Sequence, residues 1–168
     1  MVISIKWEDI DFKNRSITVN RTMQYRRKEK AFIIGEPKSR SGHRIIPMTH
    51  TAYDILMNKK REAEQRKKLS LLYNDFVFLN RNGIPNRNSI YDVAINKISK
   101  KAGIEHFSMH TLRHTFATRA IEAGMKPKTL QEILGHSNIG ITMNLYVHVT
   151  DEEKEKEMEK FELAFGIC

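Results

Sequence analysis

Residues 110–146 read HTLRHTFATRAIEAGMKPKTLQEILGHSNIGITMNLY and hold a concentration of chemically informative side chains. Two imidazoles (His110, His136) and a guanidinium (Arg113) lie within a short distance along the chain of one phenol (Tyr146). A guanidinium matches the fork of two phosphate oxygens, and imidazole donates hydrogen bonds or exchanges protons near neutral pH. A tyrosine can act as a covalent nucleophile. Together these groups indicate phosphoryl transfer that needs no metal.

The same stretch predicts three helices that carry these groups. Ser108 is a helix cap, and its helix runs to Gly124 with His110 and Arg113 on a shared face because they lie three residues apart. Pro127 opens a short helix that stops at Gly135, which places His136 just beyond a helix C-terminus. Residues 142–147 form a short helix with Tyr146. We expect His114 to point to another face and to hydrogen-bond backbone.

Zinc is an alternative ligand for His110 and His114, because histidines four residues apart on a helix can bind one metal ion. Two features of the sequence oppose it. The permanent charge of Arg113 lies between the two histidines and repels a cation. Thr111 stands where the glutamate of an HExxH motif would be. The sequence therefore predicts no metal or other cofactor.

The remaining patterns predict an α+β domain, mostly helical, with a small three-stranded antiparallel sheet near its N-terminus. Its strands are residues 16–21 (with 22–25 as a candidate extension), 31–34 and 44–47, joined by connections too short for crossover helices. Further helices are predicted over residues 49–69, from an Asn88 cap to Lys101 with Gly103 as the stop, and from 150 or 151 to 165. Residues 76–79 form a buried apolar run. Neither an internal repeat nor a linker divides residues 1–168, so we expect one domain.

Charge and composition favour a polyanionic partner. The 168 residues include 29 Lys and Arg against 20 Asp and Glu, a formal charge of +9, which fits nucleic acid. General solubility or a ribosome-associated surface would give a similar balance. The lone cysteine, Cys168, excludes a disulfide framework and indicates a reducing cytoplasm. No apolar run approaches the length of a membrane span, and the N-terminus does not read as a secretory signal.

Taken together, HTLRHTFAT, LGHS and LYVH resemble the C-terminal signature of tyrosine recombinases of the phage-integrase type. Two upstream segments extend the resemblance: IKWEDIDFKNRSITV is similar to the approach to the family's first sheet, and EPKSRSGHRIIPM to its lysine-bearing turn. The resemblance covers nearly the whole chain. It implies an integrase-like catalytic domain that performs site-specific recombination of double-stranded DNA without ATP or metal. It also implies a bacterial, phage or mobile-element origin, cytoplasmic action on the nucleoid, and a tetramer on DNA.

The resemblance also assigns roles to individual residues. Tyr146 attacks a DNA phosphate to form a 3′-phosphotyrosyl link, Arg113 clamps that phosphate, and His110 moves a proton or holds the phosphate. His136 donates to a non-bridging oxygen. Lys38, expected at the tip of a β-turn, protonates the leaving 5′ oxygen. Arg40 and Arg44 are expected to bind the DNA backbone.

Each of these positions has a plainer interpretation when it is taken alone. Tyr146 would be a buried aromatic, His136 a polar helix cap, and Lys38 one of several basic residues in a loop. Tyr25, Tyr53, Tyr73 and Tyr91 lack nearby His and Arg companions, and Tyr91 suits an apolar helix stripe. The phosphate-binding interpretation of the three residues therefore depends on their occurring together.

One departure from the family pattern concerns the N-terminus. Family catalytic domains carry a first arginine in a T-G-x-R-x-x-E stretch just before the segment that matches residues 3–7, and here no arginine precedes Arg15. We therefore expect an N-terminally truncated catalytic domain without the family's separate DNA-binding domain. Two hypotheses stand: a recombinase catalytic domain, or a catalytically incompetent DNA-binding remnant with the same fold. A helix-turn-helix regulator over residues 127–146 is disfavoured, because it gives no reason for the His–Arg–His–Tyr set.

The tail combines a charged first half with an apolar end that includes Phe161 and Phe165. An apolar helix end needs a surface to cover. That surface is either this domain itself or, as the resemblance implies, a neighbouring protomer. We expect a monomer or weak dimer in the absence of DNA.

Overall fold

The computed structural model describes residues 4–65, 72–146 and 151–166 of the chain. Within these ranges it contains six α-helices and two small antiparallel sheets. The predicted α+β class, mostly helical with a small sheet near the N-terminus, is confirmed. Among the described residues, none of the helices combines the length and the apolar character that a membrane crossing requires.

The strands are divided between two ladders. Strands β1 (Ile10–Asp11), β2 (Ser16–Val19) and β5 (Arg44–Pro47) form a three-stranded sheet in the order β1-β2-β5. Strands β3 (Thr22–Arg26) and β4 (Ala31–Gly35) pair only with each other, with Met23 opposite Ile34. The predicted strand at 31–34 therefore exists but lies outside the three-stranded sheet. The charged turn at 27–30, with Lys30 at φ 49°, closes a local hairpin in which this strand pairs with β3.

The helices begin and end close to their predicted signals. Their bounds are α1 (His50–Gln65), α2 (Asn88–Ala102), α3 (Met109–Glu122), α4 (Pro127–Leu134), α5 (Ile139–Met143) and α6 (Asp151–Phe165), with a 3₁₀ turn at Asn144–Tyr146. The Ser108 cap is confirmed: its hydroxyl accepts a hydrogen bond from the Thr111 N–H at 3.2 Å. Gly103 ends α2 in the left-handed conformation, as predicted.

Two predicted helix starts are wrong. Asn88 is the first residue of α2, and the extended cap residue is Arg87, without a side-chain cap hydrogen bond. The helix before Tyr146 starts at Ile139 rather than Thr142, because the Asn138 side chain accepts from the Gly140 N–H at 2.8 Å. Tyr146 therefore lies in the 3₁₀ turn that follows α5, instead of in the helix itself.

Two separate apolar clusters hold the chain together. The first joins the N-terminal sheet to α1 through Ile5, Ile10, Met48, Leu56 and Val77. The second lies between α3 and α4 and consists of Ala117, Ala120, Leu130 and Leu134, of which Leu130 is completely buried. Burial of one leucine side chain contributes about 1.5–3 kcal/mol. This second cluster fixes α4 against the helix that carries His110 and Arg113.

Candidate active site

The C-terminal end of α4 is the structural centre of the site. Gly135 ends the helix with φ 70°, a left-handed conformation that glycine adopts without steric cost. Its N–H donates to the Gln131 carbonyl at 2.8 Å, and the Gln131 side-chain amide donates to the His136 carbonyl at 3.1 Å. These bonds turn the chain sharply and hold the backbone of His136, as predicted from Pro127 and Gly135.

Two arginines from distant parts of the chain meet at this helix end. Arg113 Nη2 donates to the Leu134 carbonyl oxygen at 2.5 Å, and Arg44 Nε donates to the Ile133 carbonyl oxygen at 2.9 Å. The last carbonyls of a helix lack partners within it, and the helix dipole favours cations there. Burial lowers the pKa of both arginines, and the charge of Arg113 adds to the effect on Arg44. Arginine stays charged in proteins, so two positive charges sit side by side.

Arg44 is tied to backbone at two points, since Nη1 also donates to the Gly42 carbonyl at 3.1 Å. The fit around it is tight: a methyl group on Gly135 would lie 2.8 Å from Arg44 Nη1 and 2.9 Å from the Ser41 carbonyl oxygen. Arg44 thus joins β5 to the end of α4. Its expected contact with the DNA backbone stays a prediction.

His136 is held through one ring nitrogen. Its Nδ1 lies 2.9 Å from Oγ1 of Thr142, a completely buried residue of α5. Burial lowers the pKa of His136, and the nearby Arg113, His114 and Arg44 lower it further. The imidazole is therefore neutral near pH 7, and Nε2 is the ring nitrogen left to meet a ligand.

His114 does not take the place predicted for it. Nε2 of His114 lies 2.9 Å from Nε2 of His110, with the ring planes at 81°. The expectation that it faces away and bonds to backbone was wrong. Residues four apart on a helix are neighbours on one face, so the His110–His114 spacing was the signal that sequence reasoning should have used.

A cavity of about 140 Å³ brings these groups together. Its lining residues are His110, Arg113, His114, Ala117, Leu134, His136, Ile141 and Leu145. Leu145 directly precedes Tyr146 in the 3₁₀ turn, while the side chain of Tyr146 lies outside the described part of the structure. The structure thus unites three of the predicted site residues and adds His114.

A larger groove of about 620 Å³ adjoins the cavity and shares His136 with it. Arg40 and His43 line the groove from the β4–β5 connection, Arg44 lines it from the start of β5, and Lys128 lines it from α4. Glu132 is the acidic residue in the lining. The groove is therefore predominantly positive, which suits a polyanion leading into the cavity.

Lys38 is exposed and lines neither of these two spaces. Lys38 does not lie at the tip of a β-turn, as predicted, but at a bend between strands of different sheets, just before a 3₁₀ turn. Residues 36–43 instead cross from one sheet to the other, with a 3₁₀ turn at Arg40–Gly42. This connection places Lys38 at the surface near the groove-lining segment that begins at Ser39.

Within residues 4–65, 72–146 and 151–166, His, Cys, Asp and Glu side chains form no group of three that could hold a metal ion.

Comparison with known protein families identifies the chain. Residues 2–153 match the model of the phage integrase family. The chain belongs to the phage integrase family. As a family member it is 37% identical over 159 residues to the transposase from transposon Tn916 of Enterococcus faecalis. It is 33% identical over 172 residues to a XerC-like tyrosine recombinase of Caldanaerobacter subterraneus.

These phage integrase relatives are longer than the chain. The matched region covers 90% of the chain and 39% of the Tn916 transposase, and 94% of the chain and 44% of the XerC-like protein. Among solved structures, the Tn1549 transposon integrase bound to a circular intermediate DNA shares 34% identity with a TM-score of 0.81. That match covers 95% of this chain and 53% of the integrase chain. The XerA recombinase, 22% identical with a TM-score of 0.68, shares the fold.

Proposed function

We propose that this chain performs DNA cleavage and rejoining in site-specific recombination. The Tyr146 oxygen attacks a DNA phosphate in line, forming a 3′-phosphotyrosyl link and releasing a 5′ hydroxyl. A 5′ hydroxyl of another strand then attacks that link and restores the phosphodiester and the free tyrosine. Phosphate-ester bonds are exchanged one for one, so the step needs no ATP. The observation that carries the proposal is the convergence of His110, Arg113 and His136 on one cavity next to the turn of Tyr146.

Arg113 and His136 are placed to stabilise charge on the phosphorane. Arg113 donates a hydrogen bond from Nη2 to the Leu134 carbonyl oxygen. This bond fixes the guanidinium plane and leaves other N–H groups for phosphate oxygens. A Thr142 hydroxyl that donates to Nδ1 of His136 keeps the ring proton on Nε2, where it donates to a non-bridging oxygen. Donors fixed before the reaction lower the barrier without reorganising during it.

The groove supplies the approach for DNA. Arg40 and Lys128 contact backbone phosphates, and Arg44 contributes positive charge while it holds the end of α4. Lys38 extends from the exposed 36–43 connection towards the leaving 5′ oxygen and protonates it. A lysine suits this task because its ammonium is a compact, mobile acid.

The wider assignment follows from relatives that are longer than this chain. The solved Tn1549 integrase is in complex with a circular intermediate DNA, which supports double-stranded DNA of a mobile element as the substrate here. We assign the reaction to the bacterial cytoplasm, on nucleoid DNA. We assign the active assembly to a tetramer on DNA.

The test uses a duplex enriched for binding from a randomised pool and then nicked beside the candidate phosphate. After cleavage, the nick lets the short fragment that carries the freed 5′ hydroxyl diffuse away, so a covalent protein–DNA adduct accumulates and is seen on a denaturing gel. We expect an adduct with the unaltered chain, none with Tyr146→Phe, and an unchanged amount with the control Tyr91→Phe on α2. An adduct that persists in Tyr146→Phe removes Tyr146 as the nucleophile. DNA binding without any adduct identifies a DNA-binding remnant instead.

A further inference from the structure

The roles proposed above do not account for the contact between His110 and His114. The two Nε2 atoms lie 2.9 Å apart, at hydrogen-bond distance, and both rings line the cavity that contains Arg113 and His136. The pair spans one turn of α3, and its rings meet edge to face with centroids 4.5 Å apart. His114 therefore lies in the same cavity as the proposed phosphate-binding side chains and contacts His110 directly.

The chemistry of imidazole makes this contact informative. A neutral imidazole carries one N–H, on either Nδ1 or Nε2. A hydrogen bond between two Nε2 atoms needs a proton on one of them and a lone pair on the other. When both rings are neutral, this hydrogen bond requires opposite tautomers, one ring protonated on Nε2 and its partner on Nδ1.

We propose that His114 is a positioning residue that keeps the proton of His110 on Nε2. In this arrangement His110 donates from Nε2–H, and His114 accepts on a bare Nε2 and carries its own proton on Nδ1. When a phosphate enters the cavity, the His110 ring reorients and its Nε2–H donates to a phosphate oxygen instead of to His114. No covalent bond changes in this step. The role assigned to His110 rests on the proposed function.

Without His114, His110 loses the acceptor that selects its tautomer. A His110 ring protonated on Nδ1 would present a lone pair on Nε2 to the phosphate oxygens, which repel it. The groups facing the pair are Arg113 on the same helix and His136 across the cavity. Arg113 carries no acceptor, and the Nδ1 of His136 is engaged by Thr142, so His114 is the neighbour suited to this task.

The first measurement requires no reaction. Long-range ¹H–¹⁵N correlation of the ¹⁵N-labelled chain, at about pH 8.5 where imidazoles are neutral, reports which ring nitrogen of each histidine bears the proton. We expect Nε2–H for His110 and Nδ1–H for His114. His114→Gln, whose side-chain amide offers an acceptor at similar reach, should keep the His110 pattern. His114→Phe should shift it to a mixture, and the control His106→Phe, at an exposed loop position, should not.

The second measurement follows adduct formation on the nicked duplex under single-turnover conditions. With His114→Phe we expect the rate at saturating DNA to fall about 10-fold while the DNA dissociation constant changes less than about 2-fold. His114→Gln should restore the rate. The proposal is overturned if His110 carries its proton on Nδ1, or if Gln and Phe at position 114 behave alike in either measurement. Absence of adduct in the unaltered chain refutes the proposed function, and the tautomer pattern then decides the positioning role alone.

Discussion

The Arg113 guanidinium donates a hydrogen bond to the Leu134 carbonyl oxygen at 2.5 Å, across 21 residues of sequence. This bond joins the middle of α3 to the end of α4. The residue assigned to the scissile phosphate is therefore itself held by the helix end that presents His136. Arg44 fixes the same end from β5, so three separate parts of the chain determine the geometry of the proposed phosphate site.

Replacing Arg113 with lysine tests the clamp. Lysine keeps the charge but loses the planar fork, so we expect the rate of adduct formation to fall by about 10²–10³. The free energy of unfolding should fall by no more than about 1.5–3 kcal/mol, the range for a hydrogen bond to a charged group. Arg119→Lys is the control, because Arg119 pairs with Glu122 on the exposed side of α3. Equal activity of Arg113→Lys and the unaltered chain would remove Arg113 from the phosphate site.

Gly135 and Gly103 offer a matched pair for the crowding around Arg44. Both are left-handed, at φ 70° and 66°, but a methyl group would meet Arg44 and Ser41 only at Gly135. Gly103→Ala should cost about 1–2 kcal/mol from backbone conformation alone. Gly135→Ala should cost more and should also reduce adduct formation, because Arg44 or the end of α4 must move. Urea unfolding measures both losses of stability. Equal values would show that Arg44 and Ser41 move aside without a cost in stability.

The lowered pKa of His136 predicts a pH-dependent stability. In the folded state His136 binds a proton less readily than in the unfolded state, where its pKa has the ordinary value of 6.5. The contribution of His136 to stability should therefore fall as the pH drops below about 6.5 towards the folded pKa. Above about pH 6.5 this contribution should be constant. The difference in unfolding free energy between the unaltered chain and His136→Gln isolates this contribution, with His106→Gln as control. An identical pH profile in the two proteins would show that the His136 pKa is not lowered on folding.

Lys38 can be tested as the acid by changing the leaving group. Lys38→Ala should slow cleavage of normal DNA by about 10²–10⁴, the usual contribution of a general acid. A 5′-thiol leaving group has a pKa near 8.5 and departs without a proton, so the defect should largely disappear on a duplex with that sulfur. Lys13→Ala, at an exposed turn, is the control. A defect of equal size on both duplexes would assign Lys38 to DNA binding.

The exposed phenylalanines at the end of α6 lead us to expect that they join protomers on DNA. Phe161 and Phe165 are 48% and 68% exposed, with ring centroids 4.6 Å apart. Because both rings face solvent, Phe161→Ser with Phe165→Ser should leave the melting temperature unchanged but lower the cooperativity of protein–DNA complex formation. Sedimentation of the chain with and without duplex measures this, and Glu159→Ser on the same helix is the control. Unchanged assembly would show that the tail does not join protomers.

Local signals in the sequence predicted local structure well. The Ser108 cap, the Pro127 start and the Gly103 and Gly135 stops lie where their residue types indicated, because each acts through bonds within a few residues. The cap at Arg87 and the early start of α5 were missed by one and three residues. At α2 the predicted cap, Asn88, is itself the first helical residue, and at α5 the true cap, Asn138, was overlooked.

Contacts between distant segments could not be predicted in the same way. The pattern of residues 31–34 does not say whether this strand also joins the sheet in which the distant segments 16–19 and 44–47 pair. Likewise Arg44 meets the Ile133 carbonyl 89 residues further along, and nothing in the sequence around Arg44 indicates this partner.

The sequence alone determined most of the helix boundaries around the site and the candidate set of His110, Arg113, His136 and Tyr146, since motif order and helical spacing are written along the chain. Only the tertiary structure decided that Arg113 and Arg44 share the end of α4 and that His114 faces the cavity. Packing of α3 on α4 through Leu130 and Leu134 sets those distances. Such packing depends on which buried surfaces fit together in space, and that fit is not encoded at any single position.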